Sequence, residues 1–170
     1  MELMKSIIVA YDADRTIGRD GELPWAGQLP ADMKHFREIT SGQSVIMGRK
    51  TFDSLPESYR PLPNRHNIVL SMSATAINGV DIARTVDEAY SLAGENAFVI
   101  GGAEVYRQTL LSVDKVFATE IMARTVNGDA FFPNLNMTEW EIEESENYAA
   151  DTKNAFDYSF VTYARRTPTE

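Results

Sequence analysis

The 170-residue chain is predicted to be α/β: a single domain over residues 1–170, with a mostly parallel eight-stranded sheet, an antiparallel C-terminal end and about four helices on both faces. Three observations predict it. Eight short apolar, β-branched runs recur: SIIVAY, SVIMG, HNIVLSM, VDIAR, AFVIGG, DKVFATEI, WEIEESENY and YSFVTYAR. Helical segments lie between the earlier runs, the alternation that builds a parallel sheet covered on both sides. The last two runs alternate apolar and polar residues, as antiparallel strands with one wet face do.

Each element has its own local cause. Residues 7–10, 45–47, 68–70 and 97–100 are continuously apolar, which suits strands buried on both faces. Residues 30–40 form a helix. Pro30 fits its first turn, and Asp32, Phe36 and Ile39 share one face at i, i+4 and i+7, with Met33 beside them. An acid on the face that should be buried is a discordant choice. Asp32 is either an exposed charge at the positive end of the helix dipole or a buried functional carboxylate. Residues 86–93 form a second helix, with Thr85 and Glu88 as a capping box and Gly94 as a C-cap. A third runs from Ala103 to Leu111. No repeat, low-complexity tract or linker divides the chain.

Composition excludes several functions. No apolar run approaches the roughly 20 residues that span a bilayer. The N-terminal stretch has five consecutive apolar residues, IIVAY, before Asp12, too few for the core of a signal peptide, so a cytoplasmic protein is expected. Zero cysteines rule out disulfides, zinc thiolates and thiol nucleophiles. His35 and His66 have neither metal-ligand spacing nor a triad partner, and no metal is expected. The net charge of −9 argues against nucleic acid, whose binding needs clustered Lys and Arg. A small-molecule substrate and a monomer are expected.

In such sheets ligands bind beyond the carboxyl ends of the strands, and four stretches lie in the right places. VIMGRKT ends a strand in Gly48 and follows it with Arg49, Lys50 and Thr51, which make either a turn with solvated charges or an anion site. FVIGGAEVY puts Gly101 and Gly102 before a helix, either a tight turn or a cradle for a pyrophosphate; it lacks the third glycine of a dinucleotide signature. IGRDGELPW is a glycine-punctuated loop ending in Trp25, able to close over a ligand or simply anchored by the indole. RPLPNR presents Arg60 and Arg65 from a proline-stiffened stretch, as carboxylate clamps or surface charges.

Together and in this order, IG…LPW, LPADMKHF, VIMGRKTF, RPLPNR, NIVLS, VIGGAEVY and GDAFFP resemble the dihydrofolate reductase family of bacterial chromosomal type, over residues 6 to 166. That family reduces dihydrofolate to tetrahydrofolate with hydride from NADPH. The resemblance implies that Asp32 holds the pterin, supported from behind by the Thr119 hydroxyl, while water reaches the ring beside Trp25 and Leu23 lies at the tip of a mobile loop. Ile8, Met33, Phe36, Leu55 and Leu62 would wall the pterin and aminobenzoyl group. Arg65 would clamp the glutamate tail with Arg60 nearby, and Ile100 and Tyr106 would line the meeting place of the two rings.

For NADPH, the resemblance places Ala10, Ile17, Gly18, Arg19, Asp20, Gly21 and Glu22 on the nicotinamide side. Gly101 and Gly102 would take the pyrophosphate, with Ala103, Glu104, Val105, Tyr106 and Gln108 along the helix that follows. Arg49, Lys50, Thr51 and Ser71 would surround the adenosine phosphates, with Gly48, Leu70 and Met72 beside them. It also implies that antifolate inhibitors bind. Departures from the family are the stretch Ala26–Gly27–Gln28 between Trp25 and Leu29, longer by two residues than in the shortest members, Ala103 for a third glycine, Glu104 for an arginine, and Met72 for a second serine. The reductase of riboflavin synthesis shares this fold and coenzyme. It would need neither Asp32 nor a glutamate clamp.

Overall fold

Strands without a polar face must be covered twice, and this chain covers them with two helices on each side. A computed structural model describes residues 4–168. The strands are β1 (Met4–Tyr11), β2 (Thr16–Gly18), β3 (Ser44–Gly48), β4 (His66–Leu70), β5 (Asp81–Ala83), β6 (Asn96–Gly101), β7 (Lys115–Ile121), β8 (Ala130–Phe131), β9 (Trp140–Tyr148) and β10 (Tyr158–Arg165). The helices are α1 (Pro30–Thr40), α2 (Arg49–Ser54), α3 (Val86–Ala93) and α4 (Ala103–Thr109). Eight strands form one sheet in the order β5-β4-β3-β6-β1-β7-β10-β9, and β2 with β8 makes a separate ribbon. All pairings are parallel up to β7; β10 runs antiparallel to both β7 and β9. The expected sheet is borne out.

Alternation along β1 sorts the core. Ile7, Val9 and Tyr11 join α3 and α4 residues such as Ala89, Tyr90, Val105 and Tyr106 on one face. On the other, Phe36 and Phe52 from α1 and α2 pack with Val45, Met47 and Val69, and Trp25 and Leu29 pack with Ile121 and Tyr158. The cap of α3 forms as expected at Thr85, whose Oγ1 accepts from Glu88 N at 3.1 Å. Glu88 reaches back one residue further than a capping box requires, to Arg84 N at 2.7 Å. Helix α4 stops at Thr109, two residues before the predicted end, because Ser112 N and Val113 N both turn back to the Thr109 carbonyl.

Candidate active site

Strands β1, β3 and β6 end together beneath α1, α2 and α4, leaving a cavity of about 400 Å³ at their carboxyl ends. Ile8, Ala10, Asp32, Met33, Phe36, Leu55, Ile100 and Tyr106 all lie on its wall. The glycine-rich loop contributes Ile17, Gly18, Gly21, Glu22 and Leu23; the strand ends contribute Lys50, Thr51, Gly101, Gly102 and Ala103. Val9, Ser54, Asp129 and Ala130 complete the wall and were not foreseen.

Asp32 is only 9% exposed, which removes the reading of an exposed helix-end charge. Its Oδ1 accepts from Thr119 Oγ1 at 2.7 Å, a hydroxyl itself buried on β7. Burial pushes the carboxyl above its ordinary range, and the Thr119 bond opposes that rise by favouring the anion. Tyr106 donates to the Ile8 carbonyl at 2.8 Å; burial and then the Asp32 charge raise its phenol, so it stays a donor. Trp25 lies outside the wall, buried at 3% against Leu29 and Ile121. Its Nε1 has no hydrogen-bond partner among the described residues, an orphaned donor that a water or ligand would satisfy.

Leu62 is buried beside Phe36 and Leu55. Arg65, with its guanidinium carbon 5.7 Å from the Phe36 ring centroid, donates from Nε to Pro63 O at 2.9 Å and from Nη1 to Thr40 Oγ1 at 3.1 Å. Burial and the nearby Arg37 charge hold its pKa down. Arg60 instead turns to α2, donating to Asp53 O at 3.0 Å. The loop is stapled by buried Asn67, whose Oδ1 accepts from Leu62 N at 2.9 Å and whose Nδ2 donates to Leu62 O and Arg65 O. The sequence showed the prolines but not this staple.

At the opposite end, the Gly101–Gly102 peptide is cis and Gly101 has φ +129°. A Cβ on Gly101 would stand 3.4 Å from Tyr106 Oη, and one on Gly102 3.3 Å from Thr51 Oγ1. Gly48 packs as closely on Val105, which is buried. Arg49 is exposed, its Nε 3.1 Å from both Asp53 carboxylate oxygens. Ser71 follows β4, where its Oγ accepts from Ser73 N and Ala74 N. Its carbonyl accepts from Arg84 Nη1 at 2.8 Å, bringing a second guanidinium that the sequence reading did not name. Leu70 is half-buried, Met72 is exposed, and Glu104 and Gln108 pair with each other on the outer side of α4.

The loop above the cavity is pinned at its base. Arg19 and Glu22 exchange backbone bonds across Asp20 and Gly21, and Asp20 N donates to Asp129 Oδ2 at 2.8 Å. Gly18 pairs with Ala130 in the β2–β8 ribbon. The arrangement is chemically asymmetric. It offers one buried acid with a hydroxyl behind it, a cationic strand end with glycines at close approach, and a glycine-containing loop on the same wall.

Comparison with known proteins gives consistent findings. A family model described as dihydrofolate reductase matches residues 4–165. The chain is similar to dihydrofolate reductase of Haemophilus influenzae, 42% identical over 163 residues, covering 95% of this chain and 98% of that protein. With the Bacillus subtilis enzyme it shares 39% identity over 166 residues, covering 96% and 95%. A solved structure of dihydrofolate reductase from Enterococcus faecalis, complexed with NADP(H) and RAB-propyl, superposes with a TM-score of 0.86 at 33% identity, covering 96% of this chain and 97% of that one.

Proposed function

The chain belongs to the dihydrofolate reductase family, and we propose that its cavity reduces 7,8-dihydrofolate to 5,6,7,8-tetrahydrofolate with NADPH, with Asp32 as the acid held against the pterin. The observation that carries this reading is the buried Asp32–Thr119 pair at one end of a cavity whose other end is glycine and cation. The residues present fit the coenzyme, because Gly101, Gly102 and Ala103 line the cavity at the β6 end together with Lys50 and Thr51, a set of backbone, cation and hydroxyl suited to a diphosphate. When bound, NADPH supplies the hydride, delivered to C6 of the pterin.

Each residue then has one task. Asp32 accepts hydrogen bonds from the ring N–H donors and polarises the ring, and Thr119 keeps the acid's oxygen aimed. N5 lies on the other side of the ring from those donors, so its proton arrives through water held near Trp25 Nε1 rather than directly from Asp32. Leu23 and the 17–22 loop exclude bulk water while the rings meet against Ile100 and Tyr106. Antifolate inhibitors would occupy the Asp32 end. Mixing the protein with NADPH and dihydrofolate should give a steady loss of nicotinamide absorbance that needs both compounds. Tight coenzyme binding without turnover would refute the enzyme and leave a nucleotide-binding module.

Coenzyme choice rests on the strand ends. Arg49 must exchange the Asp53 carboxylate for the 2′-phosphate, and an exposed i,i+4 ion pair is worth only a few tenths of a kcal/mol. The doubly charged phosphate would win that competition, and Arg84, held by the Ser71 carbonyl, would supply a second guanidinium. Arg49→Ala should therefore raise KM for NADPH about tenfold and leave NADH nearly untouched. Equal losses with both coenzymes would remove Arg49 from the phosphate site.

A further inference from the structure

Glu120 follows Thr119 on β7, and strand alternation sends the two side chains to opposite faces of the sheet. Thr119 supports Asp32. Glu120 faces the α3–α4 side, where its Oε2 accepts from Tyr11 Oη at 2.6 Å and from Tyr163 Oη at 2.7 Å. Both tyrosines are buried, and the reaction as described uses none of the three.

The array leads to the cavity. The Tyr11 ring stacks on Phe132 with centroids 5.6 Å apart at 8°, and Phe132 meets the Tyr106 ring edge-on at 5.2 Å. Arg15 lies over both Tyr11 and Phe132, and its guanidinium donates to Phe132 O and Pro133 O. Phe132 N returns a bond to Arg15 O at 2.8 Å. Just before Phe132, Ala130 lies on the cavity wall and Asp129 holds Asp20 of the loop.

We propose that Glu120 is a positioning residue for the nicotinamide half of the cavity: through Tyr11 it fixes Phe132, and with Phe132 both the Tyr106 wall and the 129–132 segment that holds the loop. This rests on the reading that the nicotinamide lies between that loop and Tyr106. The two tyrosines are not equivalent. Tyr11 stacks on Phe132, whereas Tyr163 bonds the same carboxylate beside the Tyr11 hydroxyl and acts on Phe132 through them. Both donate to a single oxygen, so the carbonyl of a glutamine can replace it and a leucine cannot.

The test measures the hydride-transfer rate with both substrates saturating, and equilibrium binding of NADPH and of dihydrofolate separately. Glu120→Leu should slow hydride transfer about tenfold, inside the ~10²-fold that misplaced reacting groups cost, and should weaken NADPH binding. Dihydrofolate binding, which depends on Asp32 and Arg65 on the other face, should stay within about twofold. Glu120→Gln should restore most of the rate. Tyr11→Phe should reproduce much of the loss and Tyr163→Phe distinctly less, although each deletes one hydroxyl. A lower melting temperature with parental rates and coenzyme binding would overturn the proposal, as would equal effects of the two tyrosine variants. If Glu120→Leu does not fold, the tyrosine comparison decides alone. Failure of the parent protein to turn over would instead refute the reductase reading itself.

Discussion

Asp32→Asn should lower kcat/KM at neutral pH by at least about 10²-fold, while making the protein melt at a higher temperature. Both follow from one fact, that the acid is buried on the face where a side chain should be apolar. Asparagine keeps the shape and can still accept from Thr119, but it cannot be an anion. It therefore loses the charge that draws the pterin's N–H donors and raises the basicity of N5. Stability moves the other way. Burial sets the folded-state pKa above the unfolded value, so the native protein binds more protons in between, and stability falls as pH rises through that window. Above it the burial penalty is complete. Asparagine carries no such penalty, so the stability gap between variant and parent should be largest at neutral pH and close below the unfolded carboxylate pKa. Activity of the variant should recover partly in acid, where some substrate arrives already protonated, and the parent should slow as pH rises. A variant with full activity and the parental pH profile would make Asp32 a structural residue.

The fold was legible because its causes are local. Four continuously apolar runs, a proline-started helix and a threonine cap each specify their element within a few residues, and they appear where expected. Helix α2 and the β2–β8 ribbon were not legible, being six, three and two residues long, below any periodicity. The site divides the same way. Asp32 was visible from its own helix as an acid on the wrong face. Its partner Thr119 lies 87 residues away and was found only through the family resemblance. Asn67, Arg84 and Asp129 lie within NIVLS, VDIAR and GDAFFP, but nothing in those stretches marks their roles, since a polar residue beside a turn has the same appearance whether it staples a loop or faces water. Glu120 was hidden for a further reason: a charged residue inside a strand reads as solvent-facing until Tyr11 and Tyr163 are seen around it.

Arg65→Leu should weaken dihydrofolate binding by roughly 2 kcal/mol, about 30-fold, and should hardly affect a pterin that lacks the glutamate tail. The geometry supports the clamp through what it leaves available. A guanidinium has five N–H donors, and Arg65 commits one from Nε to Pro63 O and one from Nη1 to Thr40 Oγ1. The Nη1–Nη2 edge still offers a parallel pair, the fork that a carboxylate takes bidentately. Thr40 in turn donates to Phe36 O at 2.7 Å, so the same helix that carries Asp32 aims the arginine. Arg37, whose charge helps to lower the Arg65 pKa, makes the position costly for a lone cation and favourable for a bound anion. Arg60 differs. Its Nη1 donates to the Asp53 carbonyl, and Arg60→Leu should cost less than Arg65→Leu. The two substrates separate the possibilities. A loss confined to the glutamate-bearing one identifies a tail clamp, and an equal loss with both means that Arg65 only holds the 60–65 loop against α1.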